Sequence, residues 1–566
     1  MHSAPQRLPV TASLDDPLYY LTNFRFVLAW VVERYPDLLD AGEHHFVSTF
    51  EALPQPAQAL LVRMVMRKGT RFRTAKLRYA EIGEPEAALA PLVALGWVDA
   101  DPELDLADLF GVLTKAEMIQ ALSDEIAALG ISPKQGKAVL FEALAPEELA
   151  PRGYAQWWPA VPDRVVDVRL METCDRLRLM FFGNLRQDWA EFVLTELGLQ
   201  RFEQVGFLPE SRAFQARDEV DAYLHLHRLR ERFEAGEPLR ALWAEVPTTP
   251  PDNAWLATRR GKLLYRLARE AERQGDNEMA EAIYPACLHP EARVRYLRLL
   301  ERQGAFDAAY PLVRAAYEAP ANEAERQALT RLMPRVCKRL GIMPPPTAPA
   351  PRIERIDLTL PQPVGGSVEG AVCEHLSTDD APVRYVENTL LGGLFGLLCW
   401  RAIFAPLPGA FFHPFHGAPA DLGREDFVSR RRELFTACLA ELDDGRYQAT
   451  IRETWQAKYG LASPFVHWGV LDETLLEQAL ACLPAADLKA CFLRLLDDIK
   501  ANRAGLPDLI QLWPDQQRYR LIEVKGPGDR LQDNQRRWLA HFTQHGMPVA
   551  VCYVQWQDRR EPQAAT

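Results

Sequence analysis

The sequence predicts a multidomain, mainly α-helical chain that closes in a small α/β domain. Three observations carry this. The chain has 566 residues, too many for one hydrophobic core, so three to four domains are expected. Apolar residues recur at helical spacing through most of the first 340 residues. Seven prolines between Pro344 and Pro363 then stop helix formation, and strand-like segments come only after that run.

Taken in order, residues 1–100 read as a helical region. Asn23–Leu39, "NFRFVLAWVVERYPDLL", has one apolar face at helical spacing. The net charge is −12, which argues against nonspecific coating of nucleic acid but not against a local basic patch. One such patch exists. Segment 63–78, "RMVMRKGTRFRTAKLR", carries Arg63, Arg67, Lys68, Arg71, Arg73, Lys76 and Arg78 and no acid. It reads either as a solvated helix end and loop or as a phosphate-contacting surface with Phe72 as a stacking platform.

Residues 101–160 follow, with two amphipathic helices around the loop Gly130–Lys137. The arrangement resembles a SAP-type module, a small binder of DNA backbone. Lys134 and Lys137 lie near the start of the second helix, where free N–H groups and the dipole favour phosphate. Residues 161–343 are helical and rich in Leu, Ala, Arg and Glu. Glu-Arg-Gln-Gly occurs at 272–275 and again at 301–304. In each copy the glycine closes one helix, and Ala280 and Ala308 begin the packing of the next. This resembles a tetratricopeptide-like pair, an architectural arm. Residues 344–369 read as a proline-rich linker. Residues 370–566 read as helix (386–403), helices (424–447 and 474–501), strand, turn, strand, helix and strand.

No run of about 18 residues is apolar enough to span a membrane, and the N-terminus has no apolar signal core. Nine scattered cysteines form no C-x-x-C pair and read as reduced thiols. The expected location is cytoplasmic, nucleoid-associated in a prokaryote, or nuclear in a eukaryote.

The chemistry concentrates in Gly505–Gln532, "GLPDLIQLWPDQQRYRLIEVKGPGDRLQ". Leu509–Trp513 is one strand, 514–517 a turn, and Tyr519–Lys525 a second strand. Side chains two apart share a face, so Glu523 and Lys525 point the same way. Asp508 opens the paired strand. Two converging carboxylates repel, and burial worsens this, unless a divalent cation lies between them. A lysine beside them can orient a water. Together these are the parts for metal-assisted phosphodiester hydrolysis. Pro507-Asp508 and Glu523-Val524-Lys525 form a PD-(D/E)-x-K pattern; the alternative is an exposed ion pair on an edge strand. A helix then starts near Leu531. Its Gln535 lies on the apolar face, as a ligand for phosphate or water or as a satisfied buried amide. The pair His413 and His416 has metal-like spacing but no further ligand nearby, and reads as loop packing.

The stretch "GLPDLIQLW…RLIEVKGPGDRLQDNQRRWLAHF" resembles the VRR-NUC signature, in the form found in the Fanconi-associated nuclease family. "YVENTLLGGLFGLLCWRAIF", "DFVSRRRELF" and "TWQAKYGLASPFVHW" also match in place. The order of N-terminal region, SAP-like module, tetratricopeptide-like helices and nuclease is the family's layout. An N-terminal zinc finger of longer eukaryotic members is not seen. The resemblance implies a restriction-endonuclease-like C-terminal domain. It also implies a structure-selective nuclease that cuts 5′ flaps, digests 5′→3′ and processes interstrand crosslinks, with branched DNA as its partner. It implies Asp508, Glu523 and the Val524 carbonyl as donors to one Mg²⁺ or Mn²⁺. Glu387, on the first nuclease helix, would join Asp508 at a second metal, with Lys525 handling the water; Gln535, from its place on the helix face, is added as a candidate catalytic group. Arg430 and Arg431 lie in a matched segment, as phosphate contacts or as a salt-bridged helix surface. Two alternatives stay open: a Holliday-junction resolvase and a non-catalytic DNA-binding scaffold.

Overall fold

Helix dominates the described residues, and ten short strands among them form three sheets. The computed structural model describes residues 12–159, 161, 163–207, 211–346 and 351–557. The mainly helical architecture with a late α/β domain is the one the periodicities predict. The chain divides into two compact units.

The first unit runs to Arg201 and takes in Gly206–Val220 and Phe412–Phe415. Its helices Tyr19–Arg34, Ala41–Ala52 and Gln55–Val65 bury Phe24, Val31, Phe50 and Leu61. Strands interrupt what reads as helix alone. Arg71–Arg73 (β1) and Val98–Asp99 (β2) pair antiparallel with Val165–Val168 (β5). Glu103–Leu104 (β3) pairs with Arg152–Gly153 (β4). These strands have two to four residues, too few to show a period of two. Helices Leu106–Val112, Lys115–Ala121, Ser123–Ala128 and Lys137–Leu144 close a core around Leu109, Met118, Leu140 and Trp157.

The second unit comprises Phe202–Val205, Asp221–Phe411 and the chain from His416 on. The Glu-Arg-Gln-Gly repeat acts as expected at its glycines. Helices Ala254–Gln274 and Ala292–Gln303 end on Gly275 and Gly304, both left-handed at φ 84° and 77°, where a side chain would strain the backbone. Ala280 is buried in the next helix, but Ala308 is exposed and Ala309 packs in its place. The arm's last helix, Glu323–Leu340, meets the nuclease helix Asp533–Gln544. Arg331 grips Asp533 through two bonds of 2.8 and 2.5 Å, and Gln327 accepts from Arg537 at 2.8 Å.

The expected linker needs correction. Part of it, residues 347–350 with Pro349, lies outside the described residues, as does the N-terminal segment 1–11. Glu354–Leu360, inside it, is a strand (β6). Ile356, Leu358 and Leu360 alternate and pack on the core of a five-stranded sheet. The flanking prolines outweigh that alternation when the sequence is read. The other strands are Val383–Tyr385 (β7), Leu509–Trp513 (β8), Arg518–Lys525 (β9) and Val549–Trp556 (β10). Their order is β6-β10-β9-β8-β7. The β8–β9 hairpin is antiparallel, and β10 runs parallel to both β9 and β6. The expected helix 386–403 starts later, as Leu390–Leu398 and Trp400–Ile403. The expected helices 424–447 and 474–501 each divide into shorter ones. All nine cysteines are unpaired. Among the described residues no helix is long and apolar enough to cross a membrane.

Candidate active site

Sheet register assembles the site. β9 carries Glu523 and Lys525 at its C-terminal end, where both are buried. β8 begins one residue after Asp508, and the Val524 N–H donates to Asp508 Oδ2 at 2.8 Å. β7 pairs with β8 so that Tyr385 faces Leu509. The Val386 N–H then donates to the Asp508 carbonyl at 2.8 Å. That bond brings Glu387 beside Asp508, although about 120 residues separate them in sequence. Glu387 therefore sits in the turn between β7 and the helix Leu390–Leu398, not on the helix where it was expected.

Two carboxyl groups share this desolvated corner. Burial, most of all, pushes the Asp508 carboxyl up to about 6; the Val524 N–H and Lys525 oppose this, while Glu387 and Glu369 add to it. Burial and then the Asp508 charge push Glu523 up to about 8, against the opposing pull of Lys525. Lys525 Nζ donates to Glu523 Oε1 at 2.6 Å. The other oxygen, Glu523 Oε2, is buried without a hydrogen-bond partner. An unsatisfied buried polar oxygen costs roughly 1–3 kcal/mol by mutational measures, and more when charged. A hard divalent cation relieves that cost, and carboxylate oxygens are its preferred donors. The residues present therefore fit such an ion.

Glu387 beside this pair is held by its own neighbours. Tyr385 Oη donates to its Oε2 at 2.5 Å, and Asn388 Nδ2 to its Oε1 at 3.2 Å. Among the described residues no three His, Cys, Asp or Glu groups form a closed cage. Asn388 also accepts the Leu506 N–H at 3.1 Å, and its φ is 53°. Asparagine tolerates this left-handed backbone better than most residues. One amide thus ties the Glu387 turn to the strand end that leads into Asp508. Asn388→Ala removes both bonds, and loss of such an outer partner costs roughly 10–100-fold in activity. We expect that loss in kcat with unchanged DNA binding, read by single-turnover cleavage beside a binding titration.

Sequence reasoning missed Tyr385, Asn388 and Glu369. The first two flank Glu387, but nothing in sequence signals their orientation. Glu369 lies in the first turn of the helix Val368–Leu376. That helix packs against the end of β9: a Cβ on Gly526 would lie 3.2 Å from Val368 Cγ2.

Gln535, expected to turn toward the hairpin, has one amide atom engaged at the start of its own helix. Its Oε1 accepts the Gln532 N–H at 2.8 Å and caps its own helix. The basic patch also divides. Arg63 pairs with Glu81 at 2.6 Å, and Arg71 pairs with Asp108. Arg73 is buried between Asp163 and Glu117. Phe72 is buried too and offers no stacking platform. Arg67, Lys68, Lys76 and Arg78 are exposed. Lys134 is exposed at its loop, while Lys137 Nζ donates to the Leu113 carbonyl. Arg431 is fully buried on Asp421 at 2.8 and 3.0 Å, and Arg430 shares that acid at 2.6 Å. Both arginines hold the loop before their helix; Arg431 has no face left for a phosphate, while Arg430 stays about a quarter exposed beside Asp421. His413 is buried among Phe181, Phe182 and Phe415, consistent with loop packing.

Three family models match the chain: the FAN1 HTH domain over residues 18–99, the Fanconi anemia-associated nuclease SAP domain over 103–157, and the VRR-NUC domain over 442–556. The chain is 55% identical over 559 residues to the Fanconi-associated nuclease 1 homolog of Pseudomonas aeruginosa, covering 98% of this chain and 99% of that one. It is 24% identical to the Oryza sativa homolog, covering 96% of this chain and 63% of that one. A crystal structure of paFAN1 bound to 2-nt 5′-flap DNA with a gap superposes with a TM-score of 0.94 at 55% identity, covering 97% of this chain and 100% of that one. A second, with a 1-nt 5′ flap and a gap, gives 0.92 at 55% identity over 96% and 100%.

Proposed function

The chain belongs to the Fanconi-associated nuclease family and is a phosphodiesterase acting on DNA, and from that premise we propose a metal-dependent enzyme that cuts branched DNA at 5′ flaps. The observation that carries the metal dependence is the Asp508–Glu523 pair: two acids buried together, with Glu523 Oε2 lacking a partner. Asp508, Glu523 and the Val524 carbonyl would hold one Mg²⁺ or Mn²⁺, and Glu387 with Asp508 a second. When bound, the cations supply Lewis acidity to the scissile phosphate and to the attacking and leaving oxygens.

The protein's own groups do the rest. The Val524 N–H fixes Asp508 Oδ2. Lys525 fixes Glu523 Oε1 and keeps a cationic N–H donor at the reacting edge, where it orients water and phosphate oxygen. Tyr385 and Asn388 fix the rotamer of Glu387. Gln535 acts indirectly, by capping the helix that packs behind the loop before Asp508: a Cβ on Gly505 would lie 2.8 Å from Asn534.

Support for the flap comes from one relative, paFAN1, which is seen with 5′-flap DNA in two crystal structures. Digestion 5′→3′ and a part in interstrand crosslink repair, in the cytoplasm of a prokaryote or the nucleus of a eukaryote, belong to the same reading. The test uses end-labelled 5′-flap, 3′-flap and four-way substrates with Mg²⁺, Mn²⁺ or EDTA. Preferential cutting of the 5′ flap that EDTA abolishes is expected. Equal cutting of four-way junctions would favour a resolvase, and binding without cutting a scaffold.

The exposed cations Arg67, Lys68, Lys76 and Arg78, with Lys134, are our candidates for duplex phosphate contact. Each neutralised phosphate contributes about 0.9 to the slope of log affinity against log salt. Replacing Arg67 and Lys68 by glutamine should lower that slope by about 2, in binding titrations across salt. Replacing Arg71, whose charge is spent on Asp108, should leave it unchanged.

A further inference from the structure

Tyr385 is one of the two most exposed aromatic side chains among the described residues, at 49%. The other, Tyr459, rests on the rings of Trp455 and Trp468. Neither a ring nor a guanidinium of the described residues lies on Tyr385. It stands at the end of β7, the edge strand of its sheet, so no further strand flanks it. Its hydroxyl nevertheless reaches into the catalytic corner, 2.5 Å from Glu387 Oε2. That bond first, then burial and the charges of Glu387, Asp508 and Glu369, push the phenol above its ordinary range. It therefore stays protonated and donates.

Holding Glu387 asks only for a hydroxyl, and the ring is surplus to that task. Aromatic surface left in water is unfavourable, and at a nucleic-acid site it gains by stacking on a base, whatever the sequence. Glu387 is an acid proposed to hold a cation at the scissile phosphate. The part of the substrate within reach of a ring tethered to that acid is a nucleotide adjoining the same phosphate. We propose that the ring of Tyr385 stacks on the base of one nucleotide flanking the scissile phosphate while its hydroxyl holds Glu387. The proposal rests on the nuclease reading above and adds a residue that sets which phosphate reaches the acids.

The test uses 5′-flap DNA with one abasic site placed in turn at each nucleotide around the junction. Binding is read by fluorescence anisotropy in Ca²⁺, so that the result does not depend on turnover. The variants are Tyr385→Phe, which keeps the ring and loses the hydroxyl, and Tyr385→Leu, which keeps apolar bulk and loses the ring. Both are expected to fold, because the side chain is half in water and the β7–β8 pairing runs through the backbone. One abasic position should weaken binding roughly tenfold in the parent chain and in Tyr385→Phe, the scale of a lost base stack. The same position should cost less than about twofold in Tyr385→Leu, which is already weaker on intact DNA. An equal abasic cost in parent and Tyr385→Leu, a cost lost in Tyr385→Phe as well, or no cost at any position would overturn the stack. A parent chain that cuts flaps without any abasic cost would leave the nuclease reading standing. One that shows the abasic pattern but cuts nothing in Mg²⁺ or Mn²⁺ would overturn the nuclease reading and leave the stack.

Discussion

Asp508→Ala is expected to lower flap cleavage by on the order of 10³-fold or more while DNA affinity in Ca²⁺ changes little. The size follows from position. Outer partners of a metal site cost up to about 100-fold when lost, and Asp508 is the one acid in contact with both neighbouring elements. Its Oδ2 takes the Val524 N–H and its carbonyl takes the Val386 N–H. Alanine keeps the second bond, so the β7–β8 pairing that delivers Glu387 survives. What disappears is a carboxylate shared by both proposed cation positions. Single-turnover cleavage with saturating enzyme isolates this loss from binding. A variant that cuts as fast as the parent would move the active site elsewhere.

The second large effect is on stability, and its sign is opposite to intuition. Without a cation, Asp508→Asn or Glu523→Gln should stabilise the nuclease unit. In the unfolded chain these acids ionise near 3.8 and 4.5, and in the folded chain only near 6 and 8. Between about pH 4 and 8 the unfolded state therefore sheds protons that the folded state keeps. Stability of the metal-free protein falls as pH rises through that window. Raising a folded-state pKa by one is worth about 1.4 kcal/mol, so Asp508→Asn should recover about 1–3 kcal/mol near pH 8 and almost nothing below pH 4. Thermal unfolding in EDTA at about pH 5 and pH 8 reads this directly. Adding Mn²⁺ should raise the parent's midpoint at the higher pH, because an ion that binds only the folded state stabilises it. The asparagine variant should respond far less. A parent midpoint that rises with pH in EDTA would refute the account.

Asp508, Glu523 and Lys525 were legible because their information is local: a turn, a strand period of two and a 15-residue spacing define the corner. Glu387 was reachable only through family resemblance, since the bond that brings it in runs from Val386 to Asp508 across the sheet. The cations were the least legible. Arg71 and Arg73 find acids 37, 44 and 90 residues away, and no local pattern says whether a guanidinium is paired. Arg431 looks like any helix-surface arginine until Asp421 is seen buried with it. Strand β6 carried a plain alternation, but prolines on both sides masked it.

That strand also decides where the protein can be divided. β6 covers β10 along seven residue pairs, from Glu354 with Ala550 to Leu360 with Trp556. A fragment begun at residue 370, where composition invites a cut, would leave the outer side of β10 bare. Its unpaired N–H and C=O groups, on an apolar strand reading Val-Ala-Val-Cys-Tyr-Val, are a template for pairing with another chain. Such a fragment would keep Asp508, Glu523, Lys525 and Glu387 in its sequence and still be prone to aggregate. Beginning a few residues before Glu354 retains the guard strand and, with it, the chance of a soluble nuclease fragment.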